Sequence, residues 1–231
     1  MNVNAQQNVT PTAAPGANIS PYVVVNFPVR GRQLPADHGC ALYCAIIGQL
    51  PALSGASWLG IELLNGVPWR EGIIVLPTRG ASLLLRVPAD CYGHVLPLAG
   101  RSLDIADHSI HLDIPAARPL QPARSLYARI VTIEGFNESE SVLEAARHQL
   151  DALGLKADLE LPVDEQGHVR RHIIRIHGRS VAGFSLAAHN LSNDDSLHLQ
   201  STGIGQHRAM GCGIFNPIVN PYELKEIREI K

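Results

Sequence analysis

Apolar and polar positions alternate along this chain in two rounds of similar order. YVVVNF, residues 22–27, is short and β-branched and predicts a strand. LPADHGCALYCAIIGQL predicts a helix from about residue 38 to residue 49. Ala41, Leu42, Ala45 and Ile46 give it an apolar stripe, Asp37 stands where it can cap the start, and Pro51 ends it. LGIELLNG and SLLLRVP are further strand candidates. ADCYGHVLPLAG reads as a short helix or turn, and RSLDIADHSIHLDI as a strand pair or one long strand.

The second round opens with the strand candidate RSLYARIVTIEGF. NESESVLEAARHQLDALG carries the clearest helical period: Val142, Ala146, Leu150 and Leu153 share a face, Asn137 and Glu140 have capping-box spacing, and Gly154 closes the end. LKADLELP and RHIIRIHG predict two strands joined by the turn VDEQGHVR. RSVAGFSLAAHNL predicts another strand, NDDSLHLQ a short helix and GCGIFNP a last strand. Two rounds of roughly β-α-β-β-α-β predict the α+β class, as two tandem ferredoxin-like units with a glycine-rich loop near the C-terminus. The proline-rich PAARPLQP at residues 115–122 marks the boundary, giving units over residues 21–116 and 122–218. Residues 1–20 lack the basic start and apolar core of a signal peptide and read as a polar, mobile tail; residues 219–231 form a second tail. No run of 18 apolar residues occurs, so neither a membrane helix nor a membrane partner is expected, and the cytoplasm is the expected location.

Of 231 residues, 45% are hydrophobic and 17% charged, the make-up of an ordinary soluble globular protein. The net charge of −2 argues at first against a polyanionic partner. Its distribution reverses that inference. Between Gln166 and Tyr222 five arginines face two acids, and six of the eleven histidines fall there too, while the rest of the chain is acidic. HVRRHIIRIHGR, residues 168–179, concentrates Arg170, Arg171, Arg175 and Arg179 without an acid, and in a hairpin could track phosphates.

Other chemistries find little support. Cys40, Cys44, Cys91 and Cys212 form no C-x-x-C pair and are expected to be small core residues in a reducing compartment. There is no H-E-x-x-H, and on a strand His108 and His111 point to opposite faces, so no metal site is expected. No G-x-S-x-G elbow proposes a serine nucleophile.

Two features remain. In TGIGQHRAMGCGIFNP, Gly203, Gly205, Gly211 and Gly213 surround His207 and Arg208, and a backbone so bare implies that something approaches it closely. His38 stands at the first turn of the predicted helix, where the dipole disfavours imidazolium and attracts phosphate. Arg30 and Arg32, able to grip a phosphate, lie just upstream.

With VNFPVRGRQLPADHGCALYCAI, ARIVTIEGFNESESVLEAARHQLDALG and SLHLQSTGIGQHRAMGCGIFNP, the chain resembles the CRISPR-associated repeat-processing endoribonucleases of the RNA-binding superfamily with paired ferredoxin-like folds. It looks most like the variant of myxobacterial-type type I systems. The resemblance implies metal-independent cleavage of precursor CRISPR RNA within its repeats. The 2′-hydroxyl attacks the adjacent phosphate, leaving a 2′,3′-cyclic phosphate and a 5′-hydroxyl, and no cofactor is required. His38 matches the catalytic histidine of that motif, and the four glycines match a loop that lies against RNA, with Arg208 adding charge. Many members add a lysine or tyrosine to the histidine, and the three lysines here, Lys156, Lys225 and Lys231, lie away from the expected site. Tyr43 or His207 could relay a proton, and Arg30, Arg32 or Arg208 could stabilise the phosphorane. The partners implied are precursor CRISPR RNA and subunits of a CRISPR interference complex. The alternative is a non-cleaving RNA-binding subunit of such a complex on the same fold.

Overall fold

A computed structural model describes residues 21–70 and 72–218; the expected tails at 1–20 and 219–231 lie outside the described residues. The chain has a mixed α+β architecture. Its first half runs β1 (Tyr22–Arg30), β2 (Gln33–Pro35), α1 (Gly39–Gln49), β3 (Gly60–Ile61), β4 (Val67–Arg70), β5 (Ile73–Val75), β6 (Ser82–Pro88), α2 (Tyr92–Val95), β7 (Ser102–Ile105), β8 (His108–Leu112) and β9 (Ala116–Pro119). The second half runs β10 (Leu126–Val131), α3 (Ser139–Ala152), β11 (Asp158–Glu160), β12 (Arg171–Ile176), β13 (Arg179–His189), α4 (Asn193–Thr202) and β14 (Phe215–Pro217).

β1 is the spine of the first sheet, ordered β3-β6-β1-β8-β7. Along one edge it pairs with β6; along the other it pairs first with β9 and then with β8. Val25, Phe27, Leu83 and Leu85 from this sheet meet Leu42 and Ile46 of α1 in one buried core. The second sheet, ordered β11-β13-β10-β14, is antiparallel throughout. Leu126, Ala128, Phe184 and Leu186 pack there against Val142, Ala146 and Leu150 of α3 and Leu199 of α4. A third, smaller cluster joins the halves: Ile130, Ile174 and Ile176 meet Met210 and Cys212, with Cys40, Tyr43 and Leu63 from the first half packed against them.

Several local expectations are corrected. The proline-rich 115–122 stretch contains strand β9, which pairs with β1 and sets Pro119 opposite Val23 on the flank of the sheet. Strands β11 and β12 do not pair with each other. Both pair with the 11-residue β13, and the tight hairpin is β12–β13 around His177 and Gly178. LGIELLNG yields only the two-residue β3, and a small β2-β5-β4 sheet went unforeseen. Helix α1 has His38 at its N-cap without a side-chain cap, because Asp37 instead accepts the Arg175 N–H at 2.7 Å, tying the halves together. The capping box of α3 does not form either. Glu138 occupies the N-cap, and its carbonyl accepts from the Ser141 hydroxyl at 2.9 Å. Of the four cysteines only Cys212 is buried, and Cys44 is exposed at the helix surface. Among the described residues no helix is long and apolar enough to cross a membrane.

Candidate nucleic-acid interface

His38 is fully buried at the start of α1. Its Nδ1–H donates to the Pro35 carbonyl at 2.8 Å, and its Nε2 accepts the Leu64 N–H at 3.1 Å. Because a backbone amide can only donate, this pairing sets the proton on Nδ1. Burial pushes the pKa below the usual histidine value, and the nearby Arg129 cation adds to that. Burial and Arg129 thus favour the neutral ring, and a strap at residues 62–66 holds its Nε2 through the Leu64 N–H.

That strap is one wall of a cleft of about 500 Å³ between the two halves. Glu62 and Asn65 line it on one side, Tyr127, Arg129, Arg170 and His172 on the other, and Gly211 reaches its floor. Arg170 is the one expected hairpin arginine inside the cleft; Arg171, Arg175 and Arg179 stand exposed outside it.

The glycine loop has an internal reason for its bareness, beside the approach of phosphates expected from the sequence. A Cβ on Gly203 would lie 2.3 Å from the Gly213 carbonyl oxygen, and one on Gly213 would lie 2.3 Å from that of Ile204. Gly205 is pressed in the same way against the Thr132 carbonyl and Gly211 against the Leu63 side chain. The loop folds onto its own chain. Arg208 is likewise spent internally: its guanidinium donates to the Ser201 and Gln200 carbonyls at the end of α4 and lies 5.6 Å from the Tyr22 ring centre.

Tyr43 and His207 come together in a second groove, of about 720 Å³, with His177 from the β12–β13 turn. The Tyr43 hydroxyl accepts the Gly55 N–H at 3.2 Å, and His207, in a left-handed conformation at φ 62°, meets the Thr132 hydroxyl at 3.2 Å. Arg30 sits on the β1–β8 flank, ion-paired with Asp113, and Arg32 is exposed in the turn before β2. Neither lines the cleft or the second groove. Partial desolvation, with the neighbouring Cys40 thiol, raises the Cys44 thiol above its ordinary pKa, away from thiolate character. Among the described residues no three His, Cys, Asp or Glu side chains gather as metal ligands would.

Tyr127, Arg129 and His172 were not singled out in the sequence. Each sits on a strand whose register alone turns it to the cleft, and no local spacing marks them.

The sequence model described as Cas6 Crispr matches residues 23–220. The chain belongs to the Cas6 family. A CRISPR-associated endonuclease Cas6 of Myxococcus xanthus (strain DK1622) is 38% identical over 200 residues, covering 87% of this chain and 83% of that protein. Among solved structures, a CRISPR associated protein Cas6 superposes with TM-score 0.62 at 12% identity, over 85% of this chain and 99% of the other. A Cas6-related protein from Pyrococcus furiosus superposes with TM-score 0.61 at 13% identity, over 87% and 99%. At those identities the likeness is one of fold, and it supports the mixed α+β Cas6 architecture. Family membership bears out the resemblance carried by the three quoted stretches, and in this Cas6 chain the matched region takes in both walls of the cleft.

Proposed function

We propose that this Cas6 chain is an endoribonuclease that cuts precursor CRISPR RNA within its repeats, without metal, in the cytoplasm. The observation that carries this reading is a neutral imidazole behind one wall of a cleft whose other wall bears Arg129 and Arg170. The sequence relationship to a protein named CRISPR-associated endonuclease supplies the substrate class. The cleft would hold the strand while a ribose 2′-hydroxyl forms a bond to its adjacent phosphorus and the bond to the 5′-oxygen breaks. The products are a 2′,3′-cyclic phosphate and a 5′-hydroxyl. The 2′-hydroxyl proton goes to His38 Nε2 once the strap at 62–66 moves and the Leu64 N–H bond is released. Guanidinium groups stabilise charge on the phosphorane, and the 5′-oxygen takes a proton as it leaves.

We read the halves as tandem ferredoxin-like units over residues 21–116 and 122–218. The order β11-β13-β10-β14, with helices following β10 and β13, supports this for the second unit. The first unit departs by its added β2-β5-β4 sheet and by β9, whose pairing with β1 carries its sheet past residue 116 to Pro119.

Incubating the protein with repeat RNA in EDTA tests the reading. Cleavage is expected, and H38A should abolish it while binding the repeat undiminished. Parental cleavage by H38A would remove the assigned base. One observation favours a second reading: both nitrogens of His38 are engaged by backbone groups. A chain that never releases them would be a non-cleaving RNA-binding subunit of an interference complex. It would yield no product in the same assay even with protein in excess.

A further inference from the structure

The cleft contains a hydrogen-bond relay that the scheme above does not use. The Ser185 hydroxyl donates to the Arg129 carbonyl at 2.8 Å and accepts the Tyr127 hydroxyl at 3.0 Å. Its single proton is thereby committed, so towards His172 Nε2, 3.2 Å away, it can only accept. The His172 proton therefore sits on Nε2, and Nδ1 carries a lone pair with no protein donor among the described residues. Burial, reinforced by the Arg129 and Arg170 cations, pushes the pKa of this ring down to about 4 and keeps it neutral. Neither arginine is ion-paired with a carboxylate among the described residues, and both line the same cavity as the ring.

A free acceptor beside two unpaired cations calls for a ligand that donates one hydrogen bond next to a negative charge. A carboxylate offers acceptors alone, and a deoxyribonucleotide has no hydroxyl beside its 3′-phosphodiester. A ribonucleotide carries both on neighbouring atoms, its 2′-hydroxyl beside its 3′-phosphodiester. We propose that His172 Nδ1 reads a ribose 2′-hydroxyl while Arg129 and Arg170 hold the adjoining phosphodiester, so that the cleft selects RNA over DNA at one nucleotide. This rests on the RNA-processing reading above and adds to it a specificity residue supplied by β12.

The test is stopped-flow fluorescence anisotropy, which records association before the strand is cut. The probes are repeat RNAs each lacking one 2′-hydroxyl, together with the all-deoxy strand. The intact protein should lose about tenfold in affinity at one position, the worth of one hydrogen bond. H172A should bind the intact RNA weaker by the same factor and show no further loss at that position. H172N, whose amide can donate to Ser185 and still present an acceptor oxygen, should recover part of the difference. A double R129A/R170A variant should weaken RNA and DNA alike and flatten the salt dependence. Should H172A keep the penalty at every position, or weaken RNA and DNA equally, the proposal is overturned. If the unmodified protein fails to bind repeat RNA at all, the broader functional reading falls with it; binding and cutting without the His172 coupling removes this inference alone.

Discussion

Three imidazoles are held below their ordinary pKa by burial: His38, His172 and His207. For His172 the unfolded chain titrates near 6.5 and the folded protein near about 4. As pH falls through that window the unfolded state takes up a proton that the native state refuses, so stability is full above 6.5 and declines towards 4. His38 and His207 act in the same direction. Urea midpoints should drop between about pH 7 and about pH 5, and H172N should show the shallower fall. An identical slope in the variant would mean that the ring is not kept neutral. His38 could be found from its place at a helix start, a local property. His172 could not: what makes it special is Ser185, brought under it by β-pairing, and a guanidinium from β10.

The β12–β13 hairpin and the glycine loop divide the work differently from their composition. On β12 the alternation sends His172, Ile174 and Ile176 inward and leaves Arg171, Ile173 and Arg175 exposed. If the outer arginines each meet one phosphate of a single strand, R171A/R175A should lower the slope of log affinity against log salt by about 1.4 without altering the preferred repeat. An unchanged slope would assign these charges to solvent. In the loop, G205A places a Cβ against the Thr132 carbonyl oxygen at a φ of +85°, so the cost is structural. Thermal unfolding of G205A should shift down by several degrees, roughly the effect of 1–2 kcal/mol in a chain of this size, with RNA affinity per folded molecule retained. Long periodic elements such as α3 and β13 were legible because each carries its own repeat. The three-residue β2 and β5 were not, since Leu34 and Ile74 are strand residues only by virtue of each other.

Across the molecule, Arg86 holds the two halves together. It is fully buried, donates to Glu62 at 3.1 Å, and reaches the Gln200 and Phe215 carbonyls at 3.0 and 2.6 Å. These bonds tie β6 of the first half to α4 and β14 of the second. R86A leaves the largely buried Glu62 carboxylate without its counter-ion and the Phe215 carbonyl without its donor, while the Gln200 carbonyl keeps only Arg208, and should cost about 3–5 kcal/mol, the range for breaking a buried ion pair from one side. Chemical denaturation would read this as a lower midpoint, or as separate transitions for the two halves. A loss below about 1 kcal/mol would place the pair among weak surface bridges.

The order of most major elements, the basic final third, the family and the place of His38 at a helix tip could all be read in the chain, because each is written in neighbouring residues. The cover over His38, the inward use of Arg208, the packing role of the glycines and the His172 cleft arose only on folding. They depend on partners far apart in the chain: Leu64 lies 26 residues from His38, and Phe215 lies 129 from Arg86. A period of two or of 3.6 residues says which face of an element is apolar. Which charge that face meets is settled by the register and packing of strands whose separation no local pattern encodes.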